Sequence, residues 1–226
     1  VFEDGLFHLI GHFIRATRSS QLVIAGGCAL NCVANMRLLD RFDQAFYARY
    51  VGAKDRRLHM WVPPTPSDCG VTIGAAYQFA LRVGALPGQP LGHAFYCGAG
   101  ASADDVTSAS KRVSEIGSLS LGDTTDPNVR RRVADLLAFV VSQNGVMGLF
   151  QGPAETGPRA LGHRSIVANP RNPKTLETLN AMVKYRERIR PLAPMATLEA
   201  AKEFWALSDG ASDADYNAYR YMILTA

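Results

Sequence analysis

The apolar positions of this chain fall into short blocks of two different periods. At the start, Leu6, Phe7, Ile10, Phe13 and Ile14 recur at helical spacing and predict a helix. Gln21 to Ala25 is a short apolar run that predicts a buried strand. Gly26-Gly27 ends that run, and a helix through about Leu39 is expected to follow. Trp61-Val62-Pro63-Pro64 reads as a strand end entering a loop stiffened by proline. Further on, Ala75, Ala76, Phe79, Ala80 and Val83 form an apolar helical stripe, with Asp68 in the place of an N-cap. From Val83 to Ala103 the chain is rich in Gly, Pro and Ala and has no sustained period, so a domain boundary is expected near 98–103.

The second region opens with a predicted helix from about Ala103. Asp126-Pro127 then supplies an N-cap and an N1 proline for a helix whose apolar face is Val129, Val133, Leu136, Leu137, Val140 and Val141. Asn144-Gly145 ends it, and Val146 to Phe150 reads as a strand. Asn172-Pro173 starts a further helix supported by Leu176, Leu179, Met182 and Val183. Helices alternating with strands make this an α/β chain, and it shows no internal repeat.

Composition narrows the picture. With 226 residues, 47% hydrophobic and 19% charged, the chain can bury a core, which excludes global disorder. No apolar run approaches the roughly 20 residues needed to span a bilayer. There is no charged leader followed by an apolar core and a cleavage site, so a cytoplasmic protein is expected. The first residue is Val1 rather than Met, as in a processed chain or a piece of a longer one. Four cysteines, Cys28, Cys32, Cys69 and Cys97, are too few for a disulfide scaffold and read as small buried apolar residues. Phe204, Trp205 and the C-terminal tyrosines read as core or interface material.

Charge is concentrated in one place. Between Gln151 and Pro191 eight Arg and Lys face only Glu155, Glu177 and Glu187, a local net +5 within a chain of +4 overall. That pattern points to a local anionic ligand. Residues 151–165, with three glycines and two prolines, form a preorganised loop carrying Arg159 and Arg164. Planar guanidinium groups suit phosphate because they donate to two oxygens at once. Glu155 is placed to orient one of them or to balance charge, and His163 reads as a loop histidine with one structural hydrogen bond. The second basic run, Lys184 to Arg190, either is extended, with Arg186, Arg188 and Arg190 on one face, or is still helical, with Lys184 above Arg188. It reads equally as an anion site and as a solvated helix end. Gly26-Gly27, between strand and helix, reads as an ordinary β–α turn or as a turn whose amides approach a phosphate.

Four blocks carry a resemblance. Gly26-Gly27-Cys28-Ala29-Leu30-Asn31-Cys32-Val33-Ala34-Asn35 resembles the GG-x-ALN-x-x-AN signature of the O-carbamoyltransferases that modify nodulation factors and aminoglycosides. Residues 67–76 are similar to their D-x-G-x-x-x-GAA element, residues 155–171 to E-x-GPRALG-x-RSI-x-A-x-PR, and residues 183–194 to VK-x-RE-x-x-RP-x-AP. The sequence departs from those patterns at Thr156, Asn169 and Arg188, where an aromatic residue, Asp and Pro are usual.

The resemblance implies an internal fragment of two partial α/β domains. Residues 1–98 would be the C-terminal half of an actin-like ATPase (ASKHA) domain, which transfers a carbamoyl group to a hydroxyl acceptor. Residues 103–226 would be the N-terminal part of a YrdC-like domain, which turns carbamoyl phosphate and ATP into carbamoyl-adenylate. It further implies that Arg159, Lys184 and Arg190, joined by Arg164, bind carbamoyl phosphate or the adenylate. Gly26, Gly27 and Asn31 would line the nucleotide pocket of the transfer domain. Asp68 would be a ligand of an iron-type metal rather than a cap, with Mg accompanying ATP. The remaining metal ligands, a histidine pair, are expected upstream of Val1, and further basic elements after Ala226. Two other classes fit the residues: an RNA-binding module related to tRNA-threonylcarbamoylation proteins, and a folded but catalytically silent remnant. The basic segment lacks the interleaved aromatic residues expected of the former.

Overall fold

The computed structural model describes residues 1–85, 96–113, 117–208 and 218–226. They form two compact units. The first gathers Val1–Phe95, Thr156–Arg159 and Ala196–Ala226; the second gathers Tyr96–Glu155 and Ala160–Met195. The glycine- and proline-rich stretch 86–95 and Tyr216 lie outside the described residues.

In the first unit α1 (Phe2–Thr17) is the predicted opening helix, and it stops where Arg18 turns left-handed and its amide returns to the Ile14 carbonyl at φ 58°. The strand β1 (Gln21–Val23) runs parallel to β2 (His59–Trp61), with Leu22 opposite Met60. Val23 is 64% exposed, so β1 is half-buried rather than covered on both faces as expected. The helix expected straight after Gly27 is split: a 3-10 turn at Gly27–Leu30 precedes α2 (Cys32–Arg41). Asn31 makes the split, because its side chain accepts the Ala34 amide at 3.1 Å and so caps α2. The short helix α3 (Gln44–Tyr50) is capped by Asp43, which accepts the Phe46 amide at 2.8 Å.

The core of this unit is Ile10, Ile14, Leu38, Leu39, Phe42, Tyr47, Leu58, Val62 and the late residues Ile223 and Leu224. Burying each large side chain contributes roughly 1.5–3 kcal/mol. The C-terminal segment is thereby stitched to the N-terminal helices across nearly the whole chain length. Tyr47 also donates to the Ser19 carbonyl at 2.8 Å.

The helix α4 (Cys69–Arg82) departs from expectation. Asp68 makes no side-chain cap and has helical backbone angles, so the N-cap reading fails. No residue of α4 is buried, and its stripe is open, with Phe79 67% and Val83 56% exposed. The cysteines are not core residues either: Cys28 and Cys97 are exposed, Cys32 and Cys69 half-buried. The helix α8 (Leu198–Phe204) also belongs to this unit; Phe204 is 72% exposed and is not core, whereas Tyr219 and Tyr221 pack against the core.

In the second unit α5 (Ala103–Arg112) begins with a reciprocal cap between Ser102 and Asp105. The helix α6 (Pro127–Ser142) starts as its sequence dictates, the Asp126 side chain accepting the Asn128 amide at 2.8 Å with Pro127 at N1. Asn144 ends the turn at φ 66°. The strand β3 (Met147–Phe150) then pairs antiparallel with β4 (Arg164–Val167), and Gln151 N–H extends the ladder to His163 O at 2.9 Å. The last predicted helix forms as one turn, α7 (Thr175–Thr178), which widens into a π-helical stretch at Leu179–Val183. Among the described residues no helix is long and apolar enough to cross a membrane.

Candidate functional site

The loop between β3 and β4 holds its shape through polar bonds rather than through a core. The Glu155 carboxylate accepts three main-chain N–H groups, from Leu161 at 2.5 Å, His163 at 3.1 Å and Arg164 at 2.9 Å. This corrects the expectation that Glu155 orients a guanidinium: it holds backbone. Burial pushes its pKa upward, but the amides of His163, Leu161 and Arg164 and the nearby imidazole outweigh that and hold the carboxyl below its usual range. The ionised Glu155 therefore contributes stability that is present above the ordinary carboxylate pKa and lost as pH falls through the lowered one.

Arg164 folds back on the same loop. Its guanidinium donates to the carbonyls of Gln151 at 2.6 Å, His163 at 3.1 Å and Gly152 at 3.3 Å, and lies 3.6 Å over the Phe150 ring. His163 meets the Pro153 carbonyl at 2.7 Å and stacks on Tyr96, with ring centroids 3.9 Å apart, which matches the structural role read for it. Gly152 is required here: its φ is +56°, and a β-carbon would come within 2.8 Å of the His163 ring. Gln151 donates to Gly162 O at 2.8 Å, and Gly162 N–H donates to the Ser165 hydroxyl at 2.9 Å.

The second basic run is neither extended nor helical. Tyr185 takes φ 48°, and a turn follows at Arg188–Ile189. Its organiser is Asn180, buried to 1% exposure within the π-helical stretch. The Asn180 side chain accepts Arg186 Nε at 2.6 Å and donates to the carbonyls of Arg190 at 2.9 Å and Arg188 at 3.4 Å. Arg186 also donates to Pro191 O at 3.2 Å, and Arg190 pairs with Glu187 at 3.2 Å. Lys184 stands exposed at the end of the π-helical stretch, anchored through its backbone amide to Leu179 O at 2.8 Å.

Asn180 was missed in the sequence. Its only signal there is a poor helix former set among Leu176, Leu179, Met182 and Val183. Asn180→Leu is expected to destabilise the second unit by about 2 kcal/mol, because the part-buried carbonyls of Arg190 and Arg188 and the Arg186 Nε–H lose their partner. Thermal melts followed by circular dichroism check this, and an unchanged midpoint would refute it.

Arg159 is grouped with the first unit, apart from Arg164, Lys184 and Arg190. Its guanidinium donates to Leu30 O at 2.6 Å and to Met222 O. Asn35, 1% exposed, donates in parallel to Ala29 O at 2.8 Å and Ile223 O at 3.1 Å. Two adjacent carbonyls of the 3-10 turn are thus tied to two adjacent carbonyls of the C-terminal segment.

The residues expected to line the nucleotide pocket lie beside this clamp. Gly26 has φ +95°, which favours glycine, and its amide is given to Pro66 O at 2.5 Å. Gly27 is exposed, and Asn31 uses its side-chain oxygen to cap α2. Asp68 is exposed. Among the described residues no group of three or more His, Cys, Asp or Glu side chains is placed to hold a metal ion, so Asp68 alone does not constitute a metal site.

Comparison with known proteins places these features in one family. Residues 1–77 match the family model for the carbamoyltransferase N-terminus, and residues 138–226 match that for the carbamoyltransferase C-terminus. Nodulation protein NolO of Bradyrhizobium diazoefficiens is 34% identical over 92% of this chain and 34% of its own length. Nodulation protein NolNO of Sinorhizobium fredii is 32% identical over 92% of this chain and 28% of its own length. Nodulation protein U of the same organism is 33% identical over 82% of this chain and 27% of its own. The chain thus spans about a third or less of the length of these relatives. With both family models matched in order on one polypeptide, the chain belongs to the carbamoyltransferase family.

Proposed function

We propose that the chain is the central part of an ATP-dependent O-carbamoyltransferase and carries the junction between its two catalytic domains. The observation that supports this most is the pair of family matches, with the +5 segment 151–191 lying wholly inside the C-terminal one. In this reading residues 1–98 belong to an actin-like transfer domain and 103–226 to a YrdC-like adenylate-forming domain.

The adenylating half would hydrolyse carbamoyl phosphate, water taking the phosphoryl group as inorganic phosphate, and join the carbamate oxygen so freed to the α-phosphorus of ATP, with pyrophosphate leaving. A hydroxyl of a small molecule or oligosaccharide then attacks the carbamoyl carbon, and AMP leaves. Lys184 and Arg190, on a segment whose backbone Asn180 fixes, would neutralise the phosphate charge as it develops. Arg164 completes the cationic set of this unit in this reading, although its donors are engaged with carbonyls in the structure described; Arg159, expected in the same set, is engaged within the first unit. Gly26, Gly27 and Asn31 would border the nucleotide of the transfer half. Asp68 would give one carboxylate to a metal completed by groups beyond this chain, and Mg would accompany ATP.

The test is pyrophosphate release from ATP by the full-length protein. Release that depends on carbamoyl phosphate is the expected result. A folded protein that splits ATP equally without carbamoyl phosphate, or not at all, would exclude the reading.

A further inference from the structure

The basic loop contains an anion cradle that is already full. Three main-chain N–H groups, those of Leu161, His163 and Arg164, converge on one point, as they do where a protein binds a phosphate or sulfate. Here the point is taken by the Glu155 carboxylate, one oxygen accepting from Leu161 and His163 and the other from Arg164. The base of that side chain is itself fixed. Its neighbour Ala154 exchanges backbone hydrogen bonds with the segment at 98–99, Gly98 N–H to Ala154 O at 3.0 Å and Ala154 N–H to Ala99 O at 3.2 Å.

Two consequences follow from the chemistry of the groups. The amides of Leu161, Gly162, His163 and Arg164 are not free for a ligand, so a phosphate beside this stretch is left to side chains, with 161–164 serving as scaffold. The negative charge of Glu155 is also spent on N–H groups, which removes a repulsion that a bare carboxylate would impose on an incoming anion. Both depend on the carboxylate as a pure acceptor. An amide of the same shape fails: its oxygen can still accept from Leu161 and His163, but its NH2 then faces the Arg164 N–H, donor against donor.

We propose that Glu155 is the positioning residue of the carbamoyl-phosphate site, holding the 161–164 backbone where Arg164 and the flanking strand need it; this rests on the carbamoyltransferase reading above. It touches no substrate and acts through the loop.

The experiment measures KM for carbamoyl phosphate and for ATP in the full-length protein, wild type against Glu155→Gln, Glu155→Asp and Glu155→Ala. Glu155→Gln is expected to raise KM for carbamoyl phosphate about tenfold or more while KM for ATP changes little. Glu155→Asp, which keeps the charge but shortens the reach, falls between. Formate added to Glu155→Ala refills the cradle and lowers its KM, whereas chloride at equal ionic strength does not. A Gln variant with wild-type kinetics overturns the proposal. So does a set of variants that lose both substrates equally and ignore formate, since that is the mark of general damage to the fold. A wild type that does not use carbamoyl phosphate overturns the functional reading as well, and is told apart from those results by the wild-type measurement alone.

Discussion

Lys184→Ala in the full-length protein is expected to lower carbamoyl-phosphate-dependent turnover by about 10²–10³-fold, the size of effect seen when one preorganised charge-stabilising donor is removed. The position favours a clean result. Lys184 is exposed, and its contribution to the local fold comes from its backbone amide, which alanine retains. Stability is therefore expected to change by no more than about 0.5 kcal/mol. Lys184→Arg is not a neutral control, because a planar fork does not replace a compact ammonium. Arg190→Ala is expected to act in the same direction. Its guanidinium is shared with Glu187, and its carbonyl, not its side chain, is what Asn180 holds. The measurement is steady-state pyrophosphate release, and wild-type turnover in Lys184→Ala would remove it from the site.

Arg159→Ala is expected to behave differently, as a stability variant. Its guanidinium supplies two hydrogen bonds from a charged donor, to Leu30 O and Met222 O. At roughly 1.5–3 kcal/mol each, their loss is expected to cost the first unit about 3–6 kcal/mol. Both tryptophans, Trp61 and Trp205, lie in that unit, so fluorescence during urea unfolding reports on it selectively. A large fall in the midpoint is the expected outcome, with Arg159→Lys recovering only part of it. An unchanged midpoint would mean that the clamp contributes nothing and would leave ligand binding as the reason for an arginine there. Loss of anion binding by Arg159→Ala, taken alone, does not make this residue a ligand, because the same substitution releases the 3-10 turn beside Gly26 and Gly27.

The elements that the chain declares locally appear where the pattern puts them. Helix α6 begins at Asp126-Pro127 because a cap and an N1 proline act within one turn, and it ends near Asn144-Gly145 for the same reason. The strand after it and helix α1 follow from local apolar patterning, and α5 starts at its own Ser102–Asp105 cap. The concentration of positive charge in 151–191 and the four family blocks are likewise properties of the sequence, and they led to the family that the two matches establish.

What the sequence did not disclose depends on groups far apart along the chain. Arg159 finds carbonyls 129 and 63 residues away, so a side chain that reads as a phosphate ligand is engaged as a clamp. The stripe of α4 has the period of a buried face, yet whether a face is buried depends on what packs against it, and Phe79 and Val83 remain open. Asp68 stands where caps stand, but capping needs extended angles at that residue, and its backbone is helical. Glu155 and Asn180 carry no periodic signal; their roles arise only when the loop folds back and brings its own amides and carbonyls within hydrogen-bond reach. Periods and caps are written within a turn or two of backbone, so the sequence by itself determined most of the elements, the charged segment and the family. Partners of buried and half-buried polar groups are set by the path of the whole chain, and those only the tertiary structure decided.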